Sequence, residues 1–382
     1  MTAIRIPFAR PSIDDTDVAA VVKSLTSGWL TSGPNVKELE AELAAYTGAR
    51  FVNAVNSCTA AMHLALCAWD LGPGDEVITT PYTFSATGTV IVHTGATPVF
   101  VDIRERDANI DPEAIERAIT PNTKAILPVH FAGEPCDMEA ICDIAQRHGL
   151  KVLEDAAHAI GSRYKGESIG VHGDAVAFSF YANKVMTTGE GGALASNDEA
   201  LSDRVRTLTL HGMTRDAWNR YDAGGNWRYD IVEFGHKDNL TDLAGALGRQ
   251  QLLRLEAFIE SRTRVAQRYF KNLADEEHLI LPYFGEENRT AWHLFVIRVK
   301  ESSPVSRDDV IRQLAERGIQ TSVHFIPLHY FTAYKKLGKW KQGDFPHAEH
   351  FHEGAISLPM FADLTDAEVD EVCAALREIL RS

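Results

Sequence analysis

AILPVHFAGEPCDMEAICDIAQRHGLKVLEDAA, residues 125–157, reads as a strand, a helix and a second strand in succession. The outer runs are almost continuously apolar, and the last one ends on Asp155. The same alternation extends on both sides, from residue 50 to about 200. RFVNAV leads into TAAMHLALCAWDLG, DEVITT precedes SATGTVIVHTG, TPVFVDI follows, and DAVAFSF and GALAS close the series. Such βαβ alternation predicts an α/β fold whose mostly parallel central sheet is covered by helices on both faces. Ligands of these folds gather at the carboxyl ends of the strands.

A chain of 382 residues exceeds what one simple core fills. The expected division is a large domain over 1–245 and a smaller C-terminal α/β domain over 246–382. A long amphipathic helix from about 242 to 274 bridges them. The last hundred or so residues mix strands (AWHLFVIRV, IQTSVHF) with helices (SRDDVIRQLAERG, DAEVDEVCAALREIL). With 45% hydrophobic and 24% charged residues the composition is that of an ordinary soluble protein. No apolar run approaches the roughly 18 residues of a membrane helix, and no membrane partner is expected. The start of the chain has no basic segment followed by a long apolar core, so a cytoplasmic protein is expected. Five scattered cysteines without a CxxC pair read as reduced thiols. A formal charge of −15 without a block of Lys or Arg argues against nucleic acid as a partner.

Four of the predicted strands end in reactive groups. KVLEDAAHAIG delivers Asp155, and DAVAFSF delivers Ser179, five residues before Lys184 in SFYANKVMTTGEGGALAS. FVNAVNSCTAAMHLAL sets Ser57, Cys58 and Thr59 at the start of a helix, and EVITTPYTFSAT puts Phe84 on the loop after a strand. Each answers one need of a pyridoxal 5′-phosphate site. Lys184 is an amine for the Schiff base. Asp155 is a carboxylate that keeps the pyridine nitrogen protonated, so that the ring accepts electrons. The NSCT turn and Ser179 offer backbone N–H and hydroxyl donors to a phosphate. Phe84 is a face to stack on the ring. Taken singly, a loop lysine is usually a solvated charge, a strand-end Asp a surface acid, a helix-start Ser an N-cap and a Phe simple packing. The joint pattern favours the cofactor reading. Gly189, Gly191 and Gly192 imitate a dinucleotide fingerprint, but they lead into a strand and not a helix.

The whole chain resembles the pyridoxal-phosphate-dependent nucleotide-sugar aminotransferases of the DegT/StrS type, within fold type I. The likeness runs in order through GWLTSGPNVKELEAELAAYTGARFVNAVNSCTAAMHLAL, PYTFSATGTVIVHTGATPVFVDI, EDAAHAIGS, SFYANKVMTTGEGG, GHKDNLTDLAGALGRQQL and IQTSVHFIPLHYFTAY. It implies that Lys184 carries the cofactor and shuttles protons, and that Asp155 pairs with the pyridine nitrogen. Ser57, Cys58, Thr59 and Ser179 would hold the phosphate. His158 stands where many members have Gln, near the phenolic oxygen. Asn239 matches a residue that reaches the neighbouring subunit's phosphate, which implies a homodimer with shared sites. His324 and His329 match a segment near the sugar, with substrate contact and structural hydrogen bonding both open. Tyr181, where His is common, is placed with the substrate groups, and Arg228 and Lys237 are candidate cations for a diphosphate or a donor carboxylate. Cys58 replaces the usual glycine of the phosphate turn. The resemblance further implies glutamate as amino donor and a keto sugar nucleotide as acceptor, aminated at C4 of a 4-keto-6-deoxy sugar, by ping-pong turnover.

The alternatives are an aminotransferase for a keto-cyclitol or an antibiotic ring precursor, and a non-enzymatic regulator that binds the cofactor. A dehydratase of the same fold is disfavoured, because such relatives replace the lysine with histidine. His347, His350 and His352 in HAEHFHE match no standard zinc spacing, and no metal is expected.

Overall fold

The computed structural model describes residues 4–214 and 229–381. Its strands, in chain order, are β1 Phe51–Val55, β2 Glu76–Thr79, β3 Thr97–Phe100, β4 Thr123–Ile126, β5 Lys151–Asp155, β6 Arg163–Tyr164, β7 Glu167–Ser168, β8 Ala175–Ser179, β9 Gly192–Ser196, β10 Leu279–Ile280, β11 Phe295–Val299 and β12 Ala355–Leu358. Seven form the central sheet in the order β1-β9-β8-β5-β4-β2-β3. Four of its pairings are parallel, and β9 runs antiparallel to both β8 and β1. The mostly parallel α/β architecture expected from the alternation is borne out, with β9 as its one reversed member.

Alternate residues of the central strands feed two different cores. Ile78, Val152, Val176 and Phe178 pack on one face, and Val77, Leu153, Ala175 and Ala177 on the other. A strand buried on both faces needs apolar side chains at every position, which is why these runs read as continuous rather than alternating. The helices covering the sheet carry their own punctuation. Helices α1 Asp15–Ser27 and α2 Pro34–Thr47 both stop at a left-handed glycine, Gly28 and Gly48. Helix α3, Cys58–Ala68, starts where Ser57 Oγ accepts from the backbone of Ala60. It is so rich in Ala, Leu and Met that it buries nearly all of its circumference. Helices α4 Ser85–His93, α5 Pro112–Ala118, α6 Met138–His148 and α7 Glu199–Leu208 complete the layers.

The predicted bridging helix is two helices. Helix α8, Asp242–Leu253, and α9, Leu255–Leu273, meet at Arg254, whose backbone is non-helical. Neither Gly nor Pro marks the break. A tertiary contact coincides with it: the Arg254 guanidinium forms ion pairs with Asp14 and Asp17 of the first helical segment. Beyond it, β10, β11 and β12 form a small antiparallel sheet, packed by α9 with α10 Arg307–Glu316 and α13 Asp366–Leu380. Two short helices, α11 Thr332–Lys335 and α12 Pro346–Gly354, lie between them in sequence. This second core also contains Ile6, which bridges to Ile319 in parallel. Arg262 of α9 is 2% exposed and spends its guanidinium on the carbonyls of Trp292, His293 and Met360 at 3.1–3.4 Å.

Candidate active site

Three strand ends and one helix start converge at the carboxyl edge of the central sheet. Asp155, the last residue of β5, is 4% exposed. Its Oδ1 accepts from the Ala157 N–H at 3.1 Å and its Oδ2 from the Thr87 hydroxyl at 2.7 Å. Because the Thr87 hydroxyl donates there, its oxygen accepts from Thr83 at 2.8 Å, giving a relay Thr83 to Thr87 to Asp155. Burial raises the Asp155 carboxyl, while Thr87, the Ala157 amide and the nearby Lys184 pull it back. A cationic partner placed beside it would restore full ionisation.

Lys184 follows β8 on the loop that returns as β9. Its backbone N–H donates to the Tyr181 carbonyl at 2.9 Å. Among the described residues its Nζ has no carboxylate within ion-pair distance. Loss of hydration pushes the amine down to about 8, against the pull of Cys58 and Asp155. Burial holds the Cys58 thiol well above its ordinary value, so at neutral pH it is uncharged and Asp155 alone opposes the shift.

The phosphate candidates flank this pair. Ser57 caps α3, and the next two residues, Cys58 and Thr59, open its first turn, where backbone N–H groups lack helical partners. The Cys58 sulfur turns inward, 3.5 Å from the Ala177 carbonyl and 4.0 Å from Asp155 Oδ1. The backbone there is crowded: a Cβ on Gly192 would lie 2.4 Å from the Cys58 nitrogen, so β9 approaches this turn only as glycine. Ser179 ends β8, its Oγ accepting from the Tyr181 N–H at 3.4 Å. Asn239 pairs with Val55 in an isolated bridge, donates to Ser32 Oγ at 2.8 Å and meets Lys237 Nζ through its carbonyl oxygen.

A cluster of neutral imidazoles closes another side. His158 accepts the Ala132 N–H on Nδ1 at 3.3 Å, so its proton sits on Nε2. Its ring stands 4.4 Å from His293 and stacks on Phe325 at 5.9 Å. Burial lowers both histidines well below the ordinary value, with Lys184 adding to it. The same causes bring His324 to about 4, and its Nδ1 lies 2.8 Å from Ser357 Oγ. Phe84 is 62% exposed and its ring faces Phe325 at 6.3 Å.

Not every candidate joins this group. His329 is 1% exposed, with Nε2 held 3.0 Å from Glu349, so its ring serves the fold around Tyr330 and Phe345. Tyr181 and Lys237 are exposed. Arg228 lies outside the described residues. The sequence reading passed over Thr87, Thr83, His293 and Phe325. The only signal for His293 was its place in AWHLFVIRV, read there as a strand.

The donors suit pyridoxal 5′-phosphate: a half-buried lysine that, among the described residues, has no carboxylate within ion-pair distance, a buried carboxylate at the end of β5, and N–H groups without helical partners at a helix start. Residues 11–377 match the DegT/DnrJ/EryC1/StrS aminotransferase family. The chain belongs to that family. It is a pyridoxal-phosphate-dependent aminotransferase of fold type I architecture. It is 49% identical over 378 residues to the spore coat polysaccharide biosynthesis protein SpsC of Bacillus subtilis, covering 98% of this chain and 97% of the relative. In structure the aminotransferase is similar to the pyridoxal-phosphate form of Spr1654, a putative sugar aminotransferase from Streptococcus pneumoniae. That match has TM-score 0.92 and 35% identity and covers 98% of both chains. It is also similar to PseC of Helicobacter pylori, an aminotransferase involved in pseudoaminic acid biosynthesis, with TM-score 0.92, 29% identity, and 98% and 99% covered.

Proposed function

We propose that the aminotransferase moves an amino group from glutamate to a keto sugar nucleotide, at C4 of a 4-keto-6-deoxy sugar. The observation that carries this reading is Lys184 on the loop after β8, with buried Asp155 at the end of the neighbouring strand β5. The names of the relatives support the sugar, since one is a putative sugar aminotransferase, one a spore coat polysaccharide biosynthesis protein and one an aminotransferase involved in pseudoaminic acid biosynthesis.

The residue roles follow from their chemistry. Lys184 Nζ would hold the cofactor and, once free, would take the proton from the donor Cα. Its lowered proton affinity suits it to that exchange. When bound, pyridoxal 5′-phosphate supplies an electron sink for that deprotonation. Asp155 faces the pyridine nitrogen, and the Thr83–Thr87 relay keeps its second oxygen oriented. Ser57, Ser179 and the N–H groups of Cys58 and Thr59 hold the phosphate. Phe84 covers the ring. His158, protonated on Nε2, donates to the phenolic oxygen. His324 and Tyr181 would contact the substrate, with Lys237 and Arg228 as cations for its diphosphate.

Asn239 serves the neighbouring subunit's phosphate, which makes the working unit a homodimer. The apolar side chains Ile231, Val232 and Phe234 just before it support this, Phe234 being 99% exposed. The division into domains at 245/246 falls inside α8 and keeps the cofactor groups in the larger part. Its place of work is the cytoplasm. Among the described residues no helix is long and apolar enough to cross a membrane.

The test is a single-turnover assay. Glutamate alone should release 2-oxoglutarate, and the amino form of the enzyme should then be discharged by a 4-keto-6-deoxy sugar nucleotide. Discharge by keto-cyclitols and not by keto sugar nucleotides would replace the proposed acceptor.

A further inference from the structure

Away from the cofactor groups, three nitrogen and sulfur ligands converge on one side of α3. His63 and Cys67 are four residues apart, so both side chains lie on one helix face. Cys67 Sγ is 3.5 Å from His63 Nε2. The third group comes from a distant segment: the His236 ring stands 4.9 Å from that of His63, and one ligand atom from each of the three lies within 4.8 Å of the others. We propose that His63, Cys67 and His236 form a binding site for a borderline divalent transition-metal ion of the zinc class, with water as fourth ligand.

The distances carry the argument. An ion held tetrahedrally at about 2.0 Å from nitrogen and about 2.3 Å from sulfur separates those two atoms by about 3.5 Å. The His63–Cys67 pair is already at that separation. A thiol–imidazole hydrogen bond would explain this pair alone, and the third ligand is brought in by independent means. The His236 N–H donates to the Leu208 carbonyl and its own carbonyl accepts from His211, both at 2.7 Å, so its backbone is pinned before any ion arrives. The donor set of two imidazoles and one sulfur suits zinc-like ions and not oxygen-seeking Mg²⁺ or Ca²⁺.

Beside the site, Arg204 is tied to Asp70 and Glu233 by ion pairs. On binding, the Cys67 S–H bond breaks, one proton goes to solvent, and the thiolate and two neutral imidazoles take up the ion. The bound ion would fasten α3, whose first turn is Ser57–Thr59, to the segment whose Asp238 carbonyl accepts from Asn56 at 2.7 Å. The site does not depend on the identity of the sugar acceptor.

The test uses the full chain loaded with pyridoxal 5′-phosphate, kept reduced, stripped with EDTA and titrated with Zn²⁺ by calorimetry. The expected result is one saturable equivalent per chain, weakened more than about tenfold by Cys67→Ser and by His236→Gln, and unchanged by His347→Ala on α12. In the wild type, Co²⁺ should add a sulfur-to-cobalt charge-transfer band to the difference spectrum, absent from Cys67→Ser. That signature needs no variant to fold for its first half. Failure of the wild type to bind an equivalent, or equal Zn²⁺ affinity in folded Cys67→Ser and His236→Gln, would overturn the assignment.

Discussion

The protonation state of Lys184 sets the rate at which the apoenzyme captures its cofactor, because only the uncharged amine attacks an aldehyde. With the amine at about 8, roughly one molecule in eleven is uncharged at pH 7. An unperturbed lysine near 10.4 would offer roughly one in 2,500. On the neutral fraction alone, this lowering should accelerate capture at neutral pH by about 200-fold. The perturbation is pH itself. Apoenzyme is mixed with pyridoxal 5′-phosphate from about pH 6 to about pH 10, and the yellow lysine-bound absorbance is followed by stopped flow, with Lys184→Ala as blank. The logarithm of the rate should climb with unit slope at low pH and level off above about 8. In Asp155→Asn the bend should move to lower pH, since the carboxylate that holds the proton on Lys184 is gone. A slope that continues unbroken past pH 9.5 would refute the reasoning, since it would mean that the amine remains hydrated in the folded protein.

Three further outcomes follow from the same contacts. Asp155→Asn should lower turnover by several powers of ten while preserving the fold, because the amide oxygen still accepts from the Ala157 N–H and the amide NH2 donates to the Thr87 hydroxyl, which turns to donate to Thr83; steady-state rates and circular dichroism read the two halves. Thr87→Val breaks the 2.7 Å bond to Asp155 and orphans both Asp155 Oδ2 and the Thr83 hydroxyl. It should cost about 1–3 kcal/mol, or about 5- to 150-fold, in kcat, and an unchanged kcat would sink the relay. Arg262→Met leaves the carbonyls of Trp292, His293 and Met360 without a donor, and urea unfolding should show about 3 kcal/mol less stability.

How far the sequence reveals this protein depends on where each signal resides. Asp155, Ser179 and Ser57 are legible because they sit at changes of pattern, the end of an apolar run or the start of a helical one, and Lys184 follows Ser179 by five residues. The period of the side chains alone locates those points. Thr83 and Thr87 are not legible, since they lie in a segment that reads as ordinary loop and helix, and their value comes from facing a residue 68 positions away. The division between α8 and α9 is hidden as well: neither Gly nor Pro marks it, and Arg254 there pairs with Asp14 and Asp17, far back in the chain. His293 and His236 belong to this class as well. Local spacing records what a residue does for its own element, and sites assembled by the tertiary fold leave little trace in it.

The bridge between Ile6 and Ile319 orders the events of synthesis. Arg5 donates to the Arg317 carbonyl 312 positions later, so the leading segment leaves the ribosome long before its partners exist. It must stay unattached while the central sheet assembles beside it. Only once residues 317–319 are translated can Arg5 and Ile6 find their seat, and that late closure joins segments 312 positions apart.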